Sequence, residues 1–237
     1  MNTLVIMPTF NEAQSLAETV RNLFANVANI DLLIVDDASP DGTGALADSI
    51  ASSDKRVKVL HRTGKGGLGS AYVAGFNFAQ ANGYEFVVEM DADGSHRGVD
   101  LPKLLAQASD HDLVIGSRYV SGGGSHGWSF SRKLISRIGN LYTSMILGAG
   151  IQDITAGFRV YRLSFLLPLL EGVAAHGYAF QVELAWRSRL AGGRIVEVPI
   201  LFEERAHGNS KMSSAIVREA LWLTTKWGFG RLFRPRP

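Results

Sequence analysis

Short apolar runs alternate with segments of helical periodicity through the first half of the chain. The apolar runs are Leu4–Met7, Leu32–Val35, Val57–Leu60, Phe86–Met90 and Leu113–Ile115. Helices are predicted up to about Val27, from about Gly42, from about Leu68 to Ala81, and from about Asp100 to Ala108. This alternation predicts right-handed crossovers and an α/β fold, with helices on both faces of a mostly parallel central sheet.

The second half is less regular and shows no internal repeat or linker. It predicts a glycine loop at Gly122–Gly124, a helix over Ser131–Leu147, a strand over Gly157–Tyr161, a helix over Tyr178–Ala191, a strand over Ile195–Val198, a polar stretch over Glu203–Lys211 and a last helix over about Ser213–Trp227. The pattern favours one domain over residues 1–237.

Composition excludes several classes of protein. A chain of 237 residues with 46% hydrophobic and 19% charged residues is too apolar for intrinsic disorder. The absence of cysteine excludes disulfide scaffolds and thiolate chemistry, and a net charge of +2 is too balanced for a nucleic-acid binder. No apolar run reaches the ~18–20 residues that span a bilayer, and the N-terminus lacks the basic start of a signal peptide. We therefore expect a cytoplasmic protein.

Polar residues cluster where the predicted strands end. The clusters are Pro8–Glu12, Asp36–Asp41, Arg62–Lys65 and Asp91–His96. In a parallel sheet the carboxyl ends of the strands share one edge, and ligands bind there. The clusters therefore predict the position of the functional site.

Asp91 and Asp93 directly follow the fourth apolar run. Alternate residues of a strand point to the same side, so the two carboxylates can converge at the strand end. Such a pair repels itself unless a cation lies between the acids, and oxygen ligands suit Mg²⁺ or Mn²⁺, which also bind phosphates. The alternative is that Asp93 or Ser95 caps the following helix. The position at a strand end favours the metal site.

Other polar residues leave two interpretations open. Asp36–Asp37 is either a turn that caps the helix near Gly42 or a carboxylate site for a base or ribose. Gly64–Gly69 lacks Walker spacing and predicts only a tight, anion-friendly turn. Four basic residues lie in loops or at loop edges, namely Arg118, Arg132, Arg205 and Lys211. Each alone is typical of a surface charge, whereas together they suit a phosphate clamp.

Six motifs occur in a specific order along the chain. They are Pro8–Glu12 (PTFNE), Val35–Thr43 (VDDASPDGT), Gly64–Gly69 (GKGGLG), Met90–Asp93 (MDAD), Gly116–Tyr119 (GSRY) and Arg205–Lys211 (RAHGNSK). The set resembles the dolichol-phosphate (polyprenol-phosphate) mannosyltransferases, which are inverting family-2 glycosyltransferases of GT-A fold. The resemblance covers nearly the whole chain, and the ordered set is far more specific than any one motif.

The resemblance implies transfer of mannose from GDP-mannose to a polyprenyl or dolichyl phosphate, with inversion and release of GDP. It implies a nucleotide-sugar and metal half, residues 1–120, and an acceptor half, residues 121–237. The implied nucleotide-sugar pocket comprises Pro8, Phe10, Glu12, Val35, Asp37, Lys65, Asp91, Ala92, Asp93, Arg205 and Lys211. The implied catalytic residues are Asp91, Asp93, Arg205 and Lys211. The implied ligands of Mg²⁺ or Mn²⁺ are Asp91 and Asp93, with Ser95 as a weaker candidate. The implied acceptor-phosphate site is Arg118, Arg132 and Ser136. Phe10 replaces a tyrosine common in the family, and Ser95 stands where some members carry a glutamine ligand.

Two alternatives stay open at this point. The donor could be UDP-glucose, because a carboxylate at Asp37 does not by itself choose guanine over uracil. The chain could also be a nucleotide-sugar-binding subunit without catalysis, although the presence of Asp91, Asp93 and Arg205 argues against that idea.

Two C-terminal segments carry apolar stripes at helical spacing. The first stripe is Leu134, Ile135, Ile138, Leu141, Tyr142, Met145 and Ile146, and the second is Ile216, Leu221, Leu223 and Trp227. Such stripes usually pack on a core. Arg132 and Ser136 lie on the first helix, so we expect that helix to be partly exposed and to contact a membrane peripherally. The expected partners are GDP-mannose, a polyprenyl phosphate, the cytoplasmic face of a membrane and a possible membrane-anchoring subunit, with no nucleic acid.

Overall fold

A seven-stranded sheet forms the centre of the fold in the computed structural model, which describes residues 1–64, 66–173, 179–205 and 221–229. Its strands are β1 (Thr3–Thr9), β2 (Asp31–Asp36), β3 (Val57–His61), β4 (Phe86–Glu89), β5 (Leu113–Ser117), β7 (Arg159–Arg162) and β8 (Ile195–Pro199). They lie in the order β3-β2-β1-β4-β7-β5-β8. Only β7 runs antiparallel to its neighbours in this sheet. The predicted mostly parallel sheet is therefore confirmed.

Apolar side chains cover both faces of this sheet. In β1, Leu4 and Ile6 belong to one buried cluster, whereas Val5 and Met7 belong to the cluster on the opposite face. A strand that is buried on both sides needs a continuous apolar run instead of an alternating one, and this explains the sequence pattern.

Helices pack on both faces, as predicted. Their bounds are α1 (Leu16–Asn26), α2 (Thr43–Ser53), α3 (Leu68–Ala81), α4 (Leu101–Leu105, after a 3-10 turn at Gly98–Asp100), α5 (Phe130–Leu147), α6 (Leu163–Leu169), α7 (Ala179–Leu190) and α8, whose described part is 221–229. Helix α6 was not predicted, because it is apolar almost throughout and contains Pro168, so it shows no helical period. The predicted helix starts at Tyr178 and Ser213 lie outside the described residues.

A two-stranded parallel ribbon stands beside the main sheet. It pairs β6 (Gly124–Ser125) with β9 (Leu201–Phe202) and continues through a hydrogen bond of 3.1 Å from the Glu204 amide to the His126 carbonyl. The ribbon holds the segment after β9 next to the loop that precedes α5.

Helix α5 reverses the usual arrangement of an amphipathic helix. Its buried residues are Asn140, Thr143 and Leu147, of which two are polar. Its exposed residues include Phe130, Leu134, Ile135, Ile138, Leu141, Tyr142 and Met145, whose relative accessibilities range from 37% to 80%. The expected exposure of the first stripe is therefore confirmed except at Ile146, which packs against the core.

The second stripe is divided between core and solvent. Leu221 is exposed and Leu223 is partly buried, whereas Trp227 stacks on Trp186 with ring centroids 5.8 Å apart. Ile216 lies outside the described residues. No helix in the described ranges combines the length and apolarity that crossing a bilayer requires.

Candidate active site

The predicted polar clusters meet at the carboxyl edge of the sheet. Thr9 at the end of β1 is in register with Asp36 at the end of β2, and β1 pairs with β4 on its other side. Just beyond these strand ends, Asn11 and Ala38 adopt left-handed backbone conformations with φ of 60° and 54°. Such values are uncommon for residues other than glycine, and backbone strain of this kind clusters at functional sites.

The acidic pair after β2 divides into two roles. Asp36 accepts hydrogen bonds from the hydroxyls of Thr9 at 2.9 Å and Ser39 at 2.6 Å, so its role is to hold the turn. Asp37 instead forms an ion pair of 2.7 Å with Arg62 and accepts a hydrogen bond from the Gly66 amide. Asp36 therefore stabilises the turn, and Asp37 remains the candidate for the nucleotide.

Arg62 is a site residue that the sequence did not single out. Its guanidinium lies between the carboxylate of Asp37 and the hydroxyl of Ser70, to which it donates at 2.9 Å. The pair orients Asp37 toward the loop that contains Gly66. A polar residue in the right cluster was the only signal available from the sequence.

The remaining predicted nucleotide residues lie around the ends of β1 and β2. Pro8 is opposite Val35 in the register of these strands, and Val35 is completely buried. Phe10 and Glu12 are partly buried, and the Glu12 amide donates a hydrogen bond of 2.9 Å to the Thr43 hydroxyl. Ala92 is buried. Lys65 and Lys211 lie outside the described residues.

Asp91 and Asp93 follow β4 at the same edge. Asp93 is buried, with one carboxylate oxygen 3.0 Å from the Ser95 amide and the other 2.9 Å from Nε of Arg205. The side chain of Asp91 is 32% exposed, and its amide donates to Nδ1 of His96 at 3.0 Å. No side chain of this loop caps the 3-10 turn at Gly98, so the capping interpretation is wrong.

The electrostatics of this loop suit a cation. The partial loss of hydration raises the pKa of Asp91, and the neighbouring Asp93 carboxylate raises it further, against the opposing effects of His96 and Arg205. A divalent cation would relieve this cost, and carboxylate oxygens are the donors that Mg²⁺ and Mn²⁺ prefer. Within the described residues no group of three acidic or histidine side chains could hold a metal alone. Asp91 and Asp93 would supply two oxygen donors for such a cation.

Ser95 does not share the open position of Asp91. It is completely buried, and its hydroxyl has no hydrogen-bond partner in the described structure. Its contact with Asp93 is made by the backbone amide. Its role as a metal ligand remains a prediction.

Two buried ionisable residues lie opposite each other just before this loop. Glu89 at the end of β4 is opposite Arg159 of β7, and both side chains are completely buried. Arg159 donates to the carbonyls of Ile154, Ala156 and Gln181 at 2.7 to 2.8 Å. Burial raises the pKa of Glu89 to about 8, although the charge of Arg159 opposes this shift. An arginine in the middle of a sheet was not foreseen from the sequence.

Arg118 is largely covered by its neighbours and does not behave as a surface charge. Its guanidinium forms two hydrogen bonds, of 2.7 and 2.6 Å, with the buried carboxylate of Asp153 and a third of 3.0 Å with Thr155. Its side chain is only 10% exposed. The interpretation of Arg118 as a typical solvated charge is therefore wrong.

The three predicted acceptor residues lie together around two aromatic rings. The guanidinium of Arg132 is 4.2 Å from the centre of the Trp128 ring, and that of Arg118 is 5.4 Å from the same ring. The Ser136 hydroxyl accepts a hydrogen bond of 2.6 Å from Tyr119. Arg132 also forms an ion pair of 2.8 Å with Glu204. The cluster thus brings together two guanidinium groups and a hydroxyl, which are donor types that phosphate groups accept from.

Comparison with known proteins identifies the family of this chain. The profile described as Glycosyl transferase family 2 matches residues 4–168. The chain belongs to glycosyl transferase family 2. The predicted glycosyltransferase activity and the family resemblance are therefore confirmed.

Two curated relatives in family 2 match almost the full chain. An undecaprenyl-phosphate mannosyltransferase of Micrococcus luteus is 52% identical over 229 residues, covering 96% of this chain and 94% of that protein. A polyprenol monophosphomannose synthase of Mycolicibacterium smegmatis is 49% identical over 238 residues, covering 99% of this chain and 90% of that protein.

Two solved structures share the fold. The mannosyl-3-phosphoglycerate synthase of Rubrobacter xylanophilus has a TM-score of 0.69 at 18% identity, covering all of this chain and 77% of the other. The mannosyltransferase PcManGT of Pyrobaculum calidifontis, in complex with GDP-Man and Mn²⁺, has a TM-score of 0.65 at 18% identity and covers 100% of this chain. This chain spans 65% of that structure. The predicted GT-A fold is confirmed.

Proposed function

We propose that this chain transfers mannose from GDP-mannose to a polyprenyl phosphate with inversion, giving polyprenyl-phosphate β-mannose and GDP. Two adjacent residues carry the proposal, because they connect the two candidate sites. Glu204 contacts Arg132 of the predicted acceptor-phosphate site, and Arg205 contacts Asp93 in the loop that follows β4. Consecutive Cα atoms are about 3.8 Å apart, which supports a donor site next to the acceptor site.

The relatives supply the substrate class. Both are named for a mannosyl group and a polyprenol or undecaprenyl phosphate, and they match nearly the whole of this chain. A structure of the same fold contains GDP-Man and Mn²⁺. These names support mannose as the sugar and a polyprenyl phosphate as the acceptor.

The chemistry of the acceptor explains which residues are needed. A phosphate monoester has a second pKa near 6, so it is largely a dianion at neutral pH and needs no strong general base. One of its oxygens attacks the anomeric carbon while the bond from that carbon to the diphosphate breaks, and GDP leaves with the electron pair. A single displacement converts the α-linked donor to a β-linked product.

The residues then act by positioning and charge. Arg132, Arg118 and Ser136 orient the acceptor phosphate, and Arg205 neutralises charge on the leaving diphosphate. Asp91 and Asp93 would hold Mg²⁺ or Mn²⁺, which supplies Lewis-acid stabilisation of that leaving group when bound. Asp37, oriented by Arg62, would accept hydrogen bonds from the base or ribose.

The exposed apolar face of α5 supports a membrane-surface location for this reaction. The face shares its helix with Arg132 and Ser136, and a polyprenyl phosphate presents its phosphate at headgroup level. We propose peripheral binding to the cytoplasmic face of an anionic membrane, strengthened by basic residues at about 1 kcal/mol each. A membrane-anchoring subunit is the alternative that a failure to bind liposomes would favour.

A donor and acceptor panel tests the proposal. The purified enzyme is given GDP-mannose or UDP-glucose with a short polyprenyl phosphate, detergent and Mg²⁺ or Mn²⁺, and the anomeric configuration of the lipid product is determined. Transfer from GDP-mannose with β configuration supports the proposal, and preferred transfer from UDP-glucose refutes the donor. If neither donor is consumed under any condition, the chain is a binding subunit.

Arginine variants test the acceptor assignment within the same assay. Arg132→Ala should raise the KM for the polyprenyl phosphate about 10-fold or more, because a charged hydrogen bond contributes ~1.5–3 kcal/mol, while GDP affinity stays the same. Arg194→Ala is a matched control, since Arg194 is an exposed arginine that pairs with Asp112 away from the cluster. A loss of GDP affinity at unchanged acceptor KM would refute the assignment.

A further inference from the structure

The backbone around Glu204 fixes its position and leaves space for its side chain. Its amide is held by the His126 carbonyl, so the ribbon of β6 and β9 sets its position. The side chain lies over Gly127, where an added Cβ would come within 2.7 Å of the Glu204 Cβ. Gly127 also has a φ of +80°, a conformation that disfavours other residues. The loop before α5 thus leaves room for this side chain.

The carboxylate of Glu204 contacts Arg132 of the proposed acceptor-phosphate site. Oε1 of Glu204 lies 2.8 Å from Nη1 of Arg132, whose guanidinium rests on the Trp128 ring. Carboxylate and phosphate oxygens are alternative partners for the same guanidinium. Glu204 therefore stands where a phosphate oxygen would bind Arg132.

We propose that Glu204 is a positioning residue that holds Arg132 while the acceptor site is empty and is displaced by the acceptor phosphate. The proposal rests on the function proposed above. Glu204 would then also affect product release, because the acceptor and the product carry different charges. The acceptor is a dianion at neutral pH, whereas the mannosylated product is a phosphodiester with one negative charge.

The exchange is energetically reasonable because the ion pair is accessible. The side chains of Arg132 and Glu204 are 36% and 49% exposed, and ion pairs of this kind contribute about 0.2–1 kcal/mol. A dianion attracts the guanidinium more strongly than one carboxylate does, so it displaces Glu204. The monoanionic product has no such advantage, and Glu204 competes with it for Arg132. The carboxylate therefore favours product release at the cost of some acceptor affinity.

The test compares Glu204→Gln with Glu203→Gln, which are the same substitution at adjacent positions. Glu204→Gln removes the charge that faces Arg132 and keeps the size of the side chain. Glu203→Gln is the matched control, because it changes the net charge equally but contacts His126 at 2.9 Å instead of Arg132. Steady-state kinetics with a short polyprenyl phosphate give the acceptor KM, kcat and the inhibition constant of the purified mannosylated product. Thermal unfolding of each variant is measured alongside.

Glu204→Gln should lower the acceptor KM by about 1.4- to 5-fold, the equivalent of the lost ion pair. The inhibition constant of the mannosylated product should fall at least as much, and kcat should not increase. The Glu203→Gln variant should have the kinetic constants of the wild type. An unchanged or raised acceptor KM in Glu204→Gln overturns the proposal, as does an equal decrease in Glu203→Gln.

The Arg132→Ala background separates this inference from the proposed function. In that background the effect of Glu204→Gln on acceptor KM should disappear, because the competing partner is gone. If Arg132→Ala itself leaves the acceptor KM unchanged, the acceptor site is wrong and both proposals fail. If Arg132→Ala raises the KM but Glu204→Gln does not lower it, only the inference about Glu204 fails.

Discussion

Replacing Asp153 by Asn removes the charge that neutralises the largely covered guanidinium of Arg118. The Asp153 carboxylate is completely buried and accepts three hydrogen bonds from Arg118, of 2.9 Å from the amide, 2.7 Å from Nε and 2.6 Å from Nη2. Asparagine keeps the shape of the side chain and one acceptor oxygen. The guanidinium, only 10% exposed, then has no carboxylate at this position.

The magnitude follows from this burial. Breaking a buried ion pair by removing one partner costs about 3–5 kcal/mol, because the other charge stays desolvated. For a chain of this length each kcal/mol lowers the Tm by about 2–4 °C. We therefore expect Asp153→Asn to lower the Tm by about 6–20 °C.

Thermal unfolding followed by circular dichroism measures the loss, and Asp54→Asn provides the comparison. Asp54 forms the same type of bidentate pair with Arg56, but the two side chains are 31% and 38% exposed. An exposed pair contributes at most about 1 kcal/mol, so Asp54→Asn should cost less than a third of the loss at Asp153. Equal losses in the two variants would refute the argument that burial makes the Arg118 pair critical.

Three further predictions concern the metal, the buried glutamate and the membrane face. Asp91→Asn should weaken metal-dependent GDP binding at least 10-fold in calorimetry without changing the fold, while Asp48→Asn, in an exposed pair with His61, should bind normally. Burial raises the pKa of Glu89 from 4.5 to about 8. Between these two values the native state binds the proton more tightly than the unfolded state does. The free energy of unfolding should therefore decrease as the pH rises toward 8, by about 1 kcal/mol per pH unit. Denaturant unfolding in chelator should show this decrease in wild type relative to Glu89→Gln; parallel profiles would contradict the assignment. On α5, Ile138→Glu with Met145→Glu should reduce flotation with anionic liposomes, whereas Val99→Glu, at an exposed apolar residue elsewhere, should not.

The sequence predicted the strands and the location of the site because both depend on local patterns. Apolar runs such as Leu4–Met7 report strands buried on both faces, and the polar residues after them report the ligand edge. The insertion of antiparallel β7 between β4 and β5 depends on long-range pairing that no local pattern contains.

The contacts that define the site are also long-range. Arg118 pairs with a residue 35 positions away and Arg132 with one 72 positions away, so their partners were not visible in the sequence. Arg159 was unexpected for a different reason, because a buried arginine is tolerated only where several carbonyls accept its hydrogen bonds.

The polar inner face and the apolar outer face of α5 should tolerate substitution to different degrees. Asn140 bonds to the Ser136 carbonyl and the Thr155 hydroxyl, each at 3.0 Å, and its own side-chain oxygen accepts from the Thr155 amide. Because directional bonds hold the helix in register, its position does not depend on the volume of the apolar side chains outside. Those outer positions can exchange Leu, Ile, Met and Phe for one another, while Arg132 and Ser136 keep their places. Sequence variation among relatives should therefore be high but uniformly apolar on the outer face, and low at Asn140 and Thr155.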